Sequence, residues 1–211
     1  MNLCTCPAAA SLTSIPAAGC PESFGQIQKI AFQRLRKADG TKNSFTNTSS
    51  ILIKASWTAK MAASDATKIV ISPYIQAPSQ EAGSPRTFGG GNETLGGVEI
   101  IIGREPSTFT GVIRSVSQDV IKAMKQLQCE AQADNLGVFL IDENGAVEAI
   151  KDEAVATTFY PIPIRSLFIG DKAHGGLEAP DSNAIQFSFL PNYSDNLSIQ
   201  VPTDFNPLTD L

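Results

Sequence analysis

The first part of the chain alternates between strand-like and helix-like patterns of apolar residues. Residues 26–36 carry apolar side chains in an imperfect alternation, which predicts a strand with one irregularity. A turn follows at residues 38–40. Residues 49–63 begin with serine and repeat apolar positions at helical spacing, which predicts an amphipathic helix. We expect Trp57 in this helix to anchor a core rather than to stack on a ligand.

A long polar stretch separates the next two predicted strands. Residues 67–75 are rich in β-branched side chains and predict a strand that stops near Pro73. Residues 76–97 are rich in Pro, Ser and Gly with almost no apolar side chain, which predicts a long structureless loop. A strand resumes at residues 98–102, so the loop could join two neighbouring strands as a long hairpin excursion. An excursion of this kind can reach another subunit.

The second half of the chain predicts one helix among several strands. Residues 108–114 read as a short strand, and residues 115–118 match a capping box before a helix that runs to about Cys129. The helical spacing predicts a buried face made of Val116, Val120, Met124 and Leu127.

A β-hairpin and two further strands complete the pattern. Residues 136–141 and 146–150 flank Asn144-Gly145, and Asn-Gly is the preferred tight turn between strands. Residues 160–169 predict a strand whose prolines favour an edge or its first positions. Residues 184–190 alternate regularly and predict another strand.

These elements define the predicted fold class and domain organisation. The fold class is α+β: mainly an antiparallel β-sandwich or barrel with one or two flanking helices, a long loop and extended terminal arms. A single core is expected over residues 24–191, which includes the loop at 76–97. Residues 1–23 predict an N-terminal arm, and residues 192–211 predict a C-terminal arm or a last strand.

Charge limits the classes of partner. The formal net charge is −5, and no run of Lys or Arg exceeds two residues, which argues against sequence-specific nucleic-acid binding. The same acidity suits a surface past which DNA slides without binding. Only 18% of residues are charged, so part of the surface is either neutral and polar or buried by neighbouring subunits.

The N-terminal residues imitate a targeting signal. Residues 17–20 resemble a lipoprotein cleavage site, yet no Lys or Arg precedes Lys29, and Pro7 and Pro16 break the apolar run. We therefore interpret the segment as an extended arm. No other stretch approaches the roughly 18 apolar residues that a membrane helix needs, so no membrane association is expected.

The cysteines and glycines do not match a cofactor site. Cys4, Cys6, Cys20 and Cys129 lack the paired C-x2-C spacing of structural zinc, and a disulfide to Cys20 stays an alternative to reduced thiols. The glycines of the loop precede a strand without a Gly-Lys-Ser/Thr motif, which argues against a phosphate site. No cofactor and no metal are expected.

Catalytic chemistry is the weaker interpretation. The single histidine, His174, lies in the predicted loop at residues 171–181, and the chain has no G-x-S-x-G motif. Asp142/Glu143 and Asp152/Glu153 are adjacent pairs, whose side chains point to opposite faces of a strand. The protein is therefore expected not to be an enzyme, although a site assembled in space would leave no motif.

Several segments resemble structural virion proteins of tailed bacteriophages of Bacteroidetes. They are residues 24–34 with the preceding Cys20-Pro21-Glu22, residues 95–101 with 106–110, and the strand residues 137–140. The resemblance covers roughly residues 18–150 and rests on the overall sequence pattern of these segments. Within that group the order of elements is most similar to tail tube (major tail) proteins.

The resemblance implies a mechanical function. Proteins of that family form hexameric rings that stack into a conduit for DNA, and a long hairpin loop contacts the next ring. It implies that this chain binds copies of itself and other virion proteins. The predicted inter-subunit contacts lie in and beside the loop: Gln80, Arg86, Phe88, Asn92 and Leu95.

Two alternatives remain open. A head-completion, neck or capsid-decoration protein would share every feature except ring stacking, and the helix at residues 49–63 exceeds what the simplest tube fold needs. A carbohydrate- or cell-surface-binding module would instead use exposed aromatic side chains near Phe159, Tyr160 and Tyr193 as stacking platforms.

Overall fold

The computed structural model describes Ile15 and residues 24–211. Apart from Ile15, the predicted N-terminal arm lies outside the described residues, as do Cys4, Cys6 and Cys20.

The described residues form twelve strands, three α-helices and two short 3-10 turns. In chain order the elements are β1 (Ile27–Arg34), α1 (Lys54–Ala62), β2 (Ile69–Ile71), β3 (Ile75–Glu81), β4 (Pro85–Phe88), a 3-10 turn (Leu95–Gly97), β5 (Ile100–Arg104), β6 (Ser107–Arg114), α2 (Gln118–Gln132), β7 (Leu136–Asp142), β8 (Val147–Lys151), β9 (Phe159–Tyr160), β10 (Ile162–Ile169), β11 (Ser182–Phe189), a second 3-10 turn (Tyr193–Asn196), β12 (Leu197–Gln200) and α3 (Pro207–Asp210).

The strands build two antiparallel layers, and β10 pairs with strands of both layers. The first layer has the order β2-β1-β7-β8-β12, and the second has the order β10-β11-β6-β3. Ile162 and Pro163 of β10 pair with β7, whereas Ile164 and the following residues pair with β11. An irregularity between Arg165 and Phe168 accompanies this change of partner. The predicted mainly antiparallel α+β fold is confirmed.

Strand β7 is buried at every position because it is covered on both faces. Val138 and Leu140 face the second layer and contribute to a core with Phe109 and Phe187. Alternate residues face the other way and pack in a second core under α1 and α3; this core includes Phe139, Ile141, Trp57 and Leu208. Because both faces of β7 are covered, its sequence is an almost continuous apolar run.

Several local predictions are confirmed in detail. β1 has its irregularity between Ile27 and Lys29. The β7–β8 turn places Gly145 at φ 83°, a conformation that favours glycine. Trp57 is fully buried, as expected of a core anchor. Pro163 is the second residue of β10 and therefore lies among its first positions.

The two helices that the sequence predicts, α1 and α2, differ from the prediction in their first residues or in their buried faces. α1 begins at Lys54 rather than at residue 49, because Ile51 is buried and its carbonyl oxygen accepts a 2.7 Å bond from the Trp57 indole. Ser117 caps α2 without a side-chain bond, so the predicted capping box is wrong. The buried face of α2 carries Ile121, Met124 and Ala131, whereas Val120 is exposed.

The prediction of a structureless loop at residues 76–97 is wrong. This stretch contains most of β3 and all of β4, with a 3-10 turn between β4 and β5. Its pairing partners lie on the strands that follow, and pairing at that distance leaves no local pattern in a polar sequence.

The C-terminal residues pack against their own chain. β12 pairs with β8 at one edge of the first layer. Phe205 and Leu208 are buried in the second core, and the Lys29 ammonium donates a 3.0 Å bond to the backbone oxygen of Leu211. Residues 192–211 thus form a turn, a strand and a short helix.

Candidate subunit interface

A β-ribbon leaves the sandwich where the second layer ends. β3 pairs with β6 from Ile75 opposite Ile113 to Glu81 opposite Thr108, and β4 pairs with β5 beyond that point. Between the two ladders the amide of Glu105 donates a 2.8 Å bond to the carbonyl oxygen of Ser84. The stretch over residues 85–104, here called the projecting hairpin, is therefore a continuation of the second layer.

The projecting hairpin exposes large apolar side chains on both faces. Six such side chains are each more than half exposed: Phe88, Leu95, Val98, Ile100, Ile101 and Ile102. Successive strand residues point to opposite faces, so the run from Ile100 to Ile102 makes both faces apolar. A two-stranded ribbon is marginally stable on its own in water. Clustered apolar exposure of this kind marks a surface for association.

The tip of the hairpin is a defined turn built from glycines. Gly89, Gly90, Gly91, Gly96 and Gly97 all have positive φ. Such angles are costly for residues with a β-carbon, so the turn requires glycine at these positions.

Thr94 closes the same turn with its hydroxyl group. The Thr94 Oγ1 accepts a 3.0 Å bond from the Gly90 amide and donates a 2.6 Å bond to the Val98 carbonyl oxygen. The tip is thus held by its own hydrogen bonds, while its apolar side chains stay outside.

The base of the hairpin is braced by the turn that follows β11. The Arg104 guanidinium donates a 2.9 Å bond to Asn192 Oδ1, and the Gln80 amide donates to the Tyr193 hydroxyl. The Tyr193 ring stacks on Phe189 with 4.4 Å between centroids. These contacts fix the direction in which the ribbon leaves the core.

One half-buried carboxylate lies beside this brace. Burial raises the pKa of Glu148 on β8, which pairs with β12 and β7. Burial raises the pKa of Tyr193 as well, and the negative charge of Glu148 adds to that rise. The brace therefore has a titratable neighbour.

Four of the five predicted contact residues lie on the projecting hairpin. Arg86, Phe88, Asn92 and Leu95 are exposed there, and their role as contacts stays a prediction. Gln80 lies at the base, where its side chain is bonded to Tyr193. The predicted contact residues do not include Val98 or the run Ile100–Ile102, which the sequence predicts as a strand. The available signal was the uninterrupted apolar run beside a polar partner segment.

The other candidate groups have ordinary surroundings. His174 is exposed, with its Nδ1 3.2 Å from Asp181 Oδ2. Buried Asp142 accepts backbone bonds from Gly25, Asn144 and Ala146. Within the described part of the chain, no group of three or more His, Cys, Asp or Glu is placed to hold a metal. No helix of that part combines the length and apolar character needed to cross a membrane.

The aromatic residues proposed as stacking platforms are partly withdrawn from the surface. Phe159 is buried in the second core. The Tyr160 hydroxyl donates a 2.6 Å bond to Asp152, whose pKa is lowered by that bond and by backbone donors. Tyr193 is half-buried against Phe189. Phe159 therefore does not form an exposed platform.

Comparison with known proteins finds distant structural similarities only. No family model and no curated protein matches the chain. A chain from the tail of an empty gene transfer agent (GTA) particle is 14% identical with a TM-score of 0.33, over 60% of this chain and 82% of that chain. A chain of the anti-feeding prophage baseplate is 8% identical with a TM-score of 0.35, over 92% and 100%. The Hcp protein is 12% identical with a TM-score of 0.23, over 77% and 88%. Similarity at these values assigns no function to this chain.

Proposed function

We propose that this chain is a non-enzymatic virion structural protein that assembles with copies of itself into hexameric rings, and that the rings stack as the tail tube of a phage. DNA passes through the tube without being bound. The projecting hairpin, with Arg86, Phe88, Asn92 and Leu95, contacts a subunit of the adjacent ring.

The projecting hairpin is the observation that carries the proposal. Each ordered backbone residue costs roughly 1–2 kcal/mol of conformational entropy, and the hairpin buries few of its own apolar side chains in return. Burial of Phe88, Leu95 and Ile100 against another copy would supply the missing stabilisation. The positive-φ tip and the brace at Asn192 and Tyr193 hold the ribbon ready for that contact.

The outward face of the second layer suits lateral contact between subunits. In the register of the layer, Phe168, Gln186, Thr110 and Ser79 form one row of exposed, uncharged side chains. In the neighbouring row, uncharged Ser188 and Thr108 lie between Arg165 and Glu81. Depletion of charge is typical of the centre of an interface, and the low charged fraction of the chain agrees with such a contact.

Removal of the projecting hairpin tests the proposal. Ser84 and Glu105 already form the hydrogen bond that flanks a two-residue turn, so residues 85–104 can be replaced by Asn-Gly. We expect a folded protein that forms rings by negative-stain electron microscopy and elutes as a ring on size-exclusion chromatography, but gives no tubes.

A point substitution outside the hairpin provides the control. Leu177 is as exposed as Leu95 but lies in the loop between β10 and β11, so Leu177→Glu should leave tube formation unchanged. Normal tubes from the shortened chain would contradict the proposal. Rings that never stack, even from the unaltered chain, would indicate another virion position.

A further inference from the structure

We propose that the tip of the projecting hairpin docks into a groove at the opposite end of a subunit in the next ring. This inference rests on the proposed function and names the receiving surface. The groove, here called the β1–α2 groove, has a volume of about 370 Å³. Its lining includes Phe32, Gln33, Lys68, Val70, Leu127 and Leu136.

The hairpin and the groove lie at opposite ends of β1. Residues 78–80 of β3 flank the start of β1 at residues 25–27, so the ribbon continues past that end. The groove lies at the other end, where Arg34 pairs with Leu136. The eight residues of β1 span roughly 25 Å at about 3.3 Å per residue. One subunit therefore presents the hairpin at one end and the groove at the opposite end.

Opposite placement is what head-to-tail stacking requires. When one surface of a protein fits a different surface of its copy, the contact can repeat without closing. If the groove lay beside the base of the hairpin, two subunits could dock into each other as a symmetric pair. Growth would end with that pair. The groove at the far end permits one ring to follow another.

The groove offers an apolar floor to the apolar tip. Phe32 and Leu136 line its buried part, and Val70 is an exposed apolar side chain at its edge. Leu95 is fully exposed at the tip, and Val98 is exposed beside it. Insertion of these side chains would remove apolar surface of both copies from water.

The groove lining holds two basic and two acidic side chains, and Lys68 is the basic one outside the ion pairs of the described residues. In the groove, Arg34 pairs with Glu130, and the Asp65 carboxylate accepts bonds from Thr67. Lys68 takes part in none of the ion pairs of residues 24–211, and Glu93 and Glu99 of the tip are likewise outside them. Docking would bring Glu93 and Glu99 of the tip toward Lys68 of the groove.

Two complementary variants test the docking. Val70→Glu places a charge in the groove and leaves the hairpin intact, whereas Leu95→Glu alters the tip and leaves the groove intact. We expect each variant alone to form rings but no tubes. An equimolar mixture should give double rings, because the hairpins of the first variant fit the grooves of the second and growth then stops. Mass photometry would show a doubling of the ring mass.

A second groove variant protects the test from a folding defect. If Val70→Glu lowers the Tm, Lys68→Glu supplies the same test at a charged side chain. It should raise the critical concentration for tubes about two- to five-fold, and adding Glu93→Lys to the same chain should reverse that rise.

The outcomes separate the two proposals. Normal tubes from Val70→Glu, with none from Leu95→Glu, would assign the groove to another occupant and overturn the docking while leaving the tube function in place. Normal tubes from Leu95→Glu would also overturn the docking, because tubes would then form without the apolar tip. An unaltered chain that stays monomeric at all concentrations would overturn the proposed function itself.

Discussion

Gly83 lies so close to Glu105 that a β-carbon on Gly83 would be 1.9 Å from the carbonyl oxygen of Glu105. The Gly83 amide donates a 3.2 Å bond to Ser107 Oγ at the same level of the ribbon. Real β-carbons do not approach backbone oxygens at that distance. The exit of the projecting hairpin from the sandwich therefore depends on a glycine at this position.

We expect Gly83→Ala to displace the hairpin without unfolding the core. The two strands must separate at the exit, which changes the direction of the tip relative to the sandwich. Tubes should be absent or short by electron microscopy, while the Tm falls by only a few degrees because the residue lies outside both cores. Gly103→Ala is the matched control: the nearest heavy atom to its β-carbon would be Arg86 Cδ at 3.8 Å, an ordinary contact. If both variants form tubes of wild-type length, the close approach has no role in assembly.

Patterns that depend on neighbouring residues predicted much of the fold. The Asn144-Gly145 turn fixed the β7–β8 hairpin, and imperfect alternation located β1 together with its irregularity. In each case the signal and the structure lie within a few residues of one another. Burial of Trp57 followed from its size and apolar character.

The candidate interface was harder to predict because its strands are polar and pair at a distance. β3 and β4 contain Pro78 and Pro85 with few apolar residues, so propensity favoured a loop over residues 76–97. The sequence predicts the run Ile100–Ile102 as a strand, but its exposure depends on the absence, among the described residues, of a third strand beside β4 and β5. Sequence periodicity carries no information on that point.

Trp57 is expected to be the largest single contributor to the second core. Its ring lies 4.7 Å from Phe45 and 5.5 Å from Phe139, centroid to centroid, and its indole bonds the Ile51 carbonyl oxygen. Trp57→Ala should lower the free energy of unfolding by about 3–5 kcal/mol. Trp57→Phe keeps a ring and loses the hydrogen bond, so it should cost less. Urea denaturation followed by circular dichroism measures both, and equal losses would show that the ring contributes nothing.

Asp142 is expected to stabilise the β7–β8 turn and the entry of the chain into β1. Its Oδ1 accepts bonds from Asn144 and Ala146, and its Oδ2 accepts a 3.0 Å bond from the Gly25 amide. Asp142→Asn keeps an acceptor for the turn but places an amide group opposite the Gly25 donor. The free energy of unfolding should fall by about 1–3 kcal/mol. Asp152→Asn, at a partly exposed turn carboxylate that also accepts backbone bonds, is the control and should change it less. An equal loss of unfolding free energy in both variants would show that the burial of Asp142 does not increase its contribution.

Glu148 should make the stability of the protein depend on pH. Burial raises the pKa of its carboxyl group above the ordinary value of 4.5, so the folded state binds a proton more tightly than the unfolded state. Below the ordinary pKa the group is neutral in both states and costs nothing. As the pH rises through the raised pKa, the folded state must hold a half-buried charge, and stability is lost. Glu148→Gln should therefore raise the Tm at pH 7 and leave it unchanged near pH 4. Glu143→Gln, at an exposed carboxylate of the neighbouring turn, should change the Tm less. A Glu148→Gln variant less stable than the natural chain at pH 7 would mean that the carboxylate makes a favourable contact that outweighs its burial.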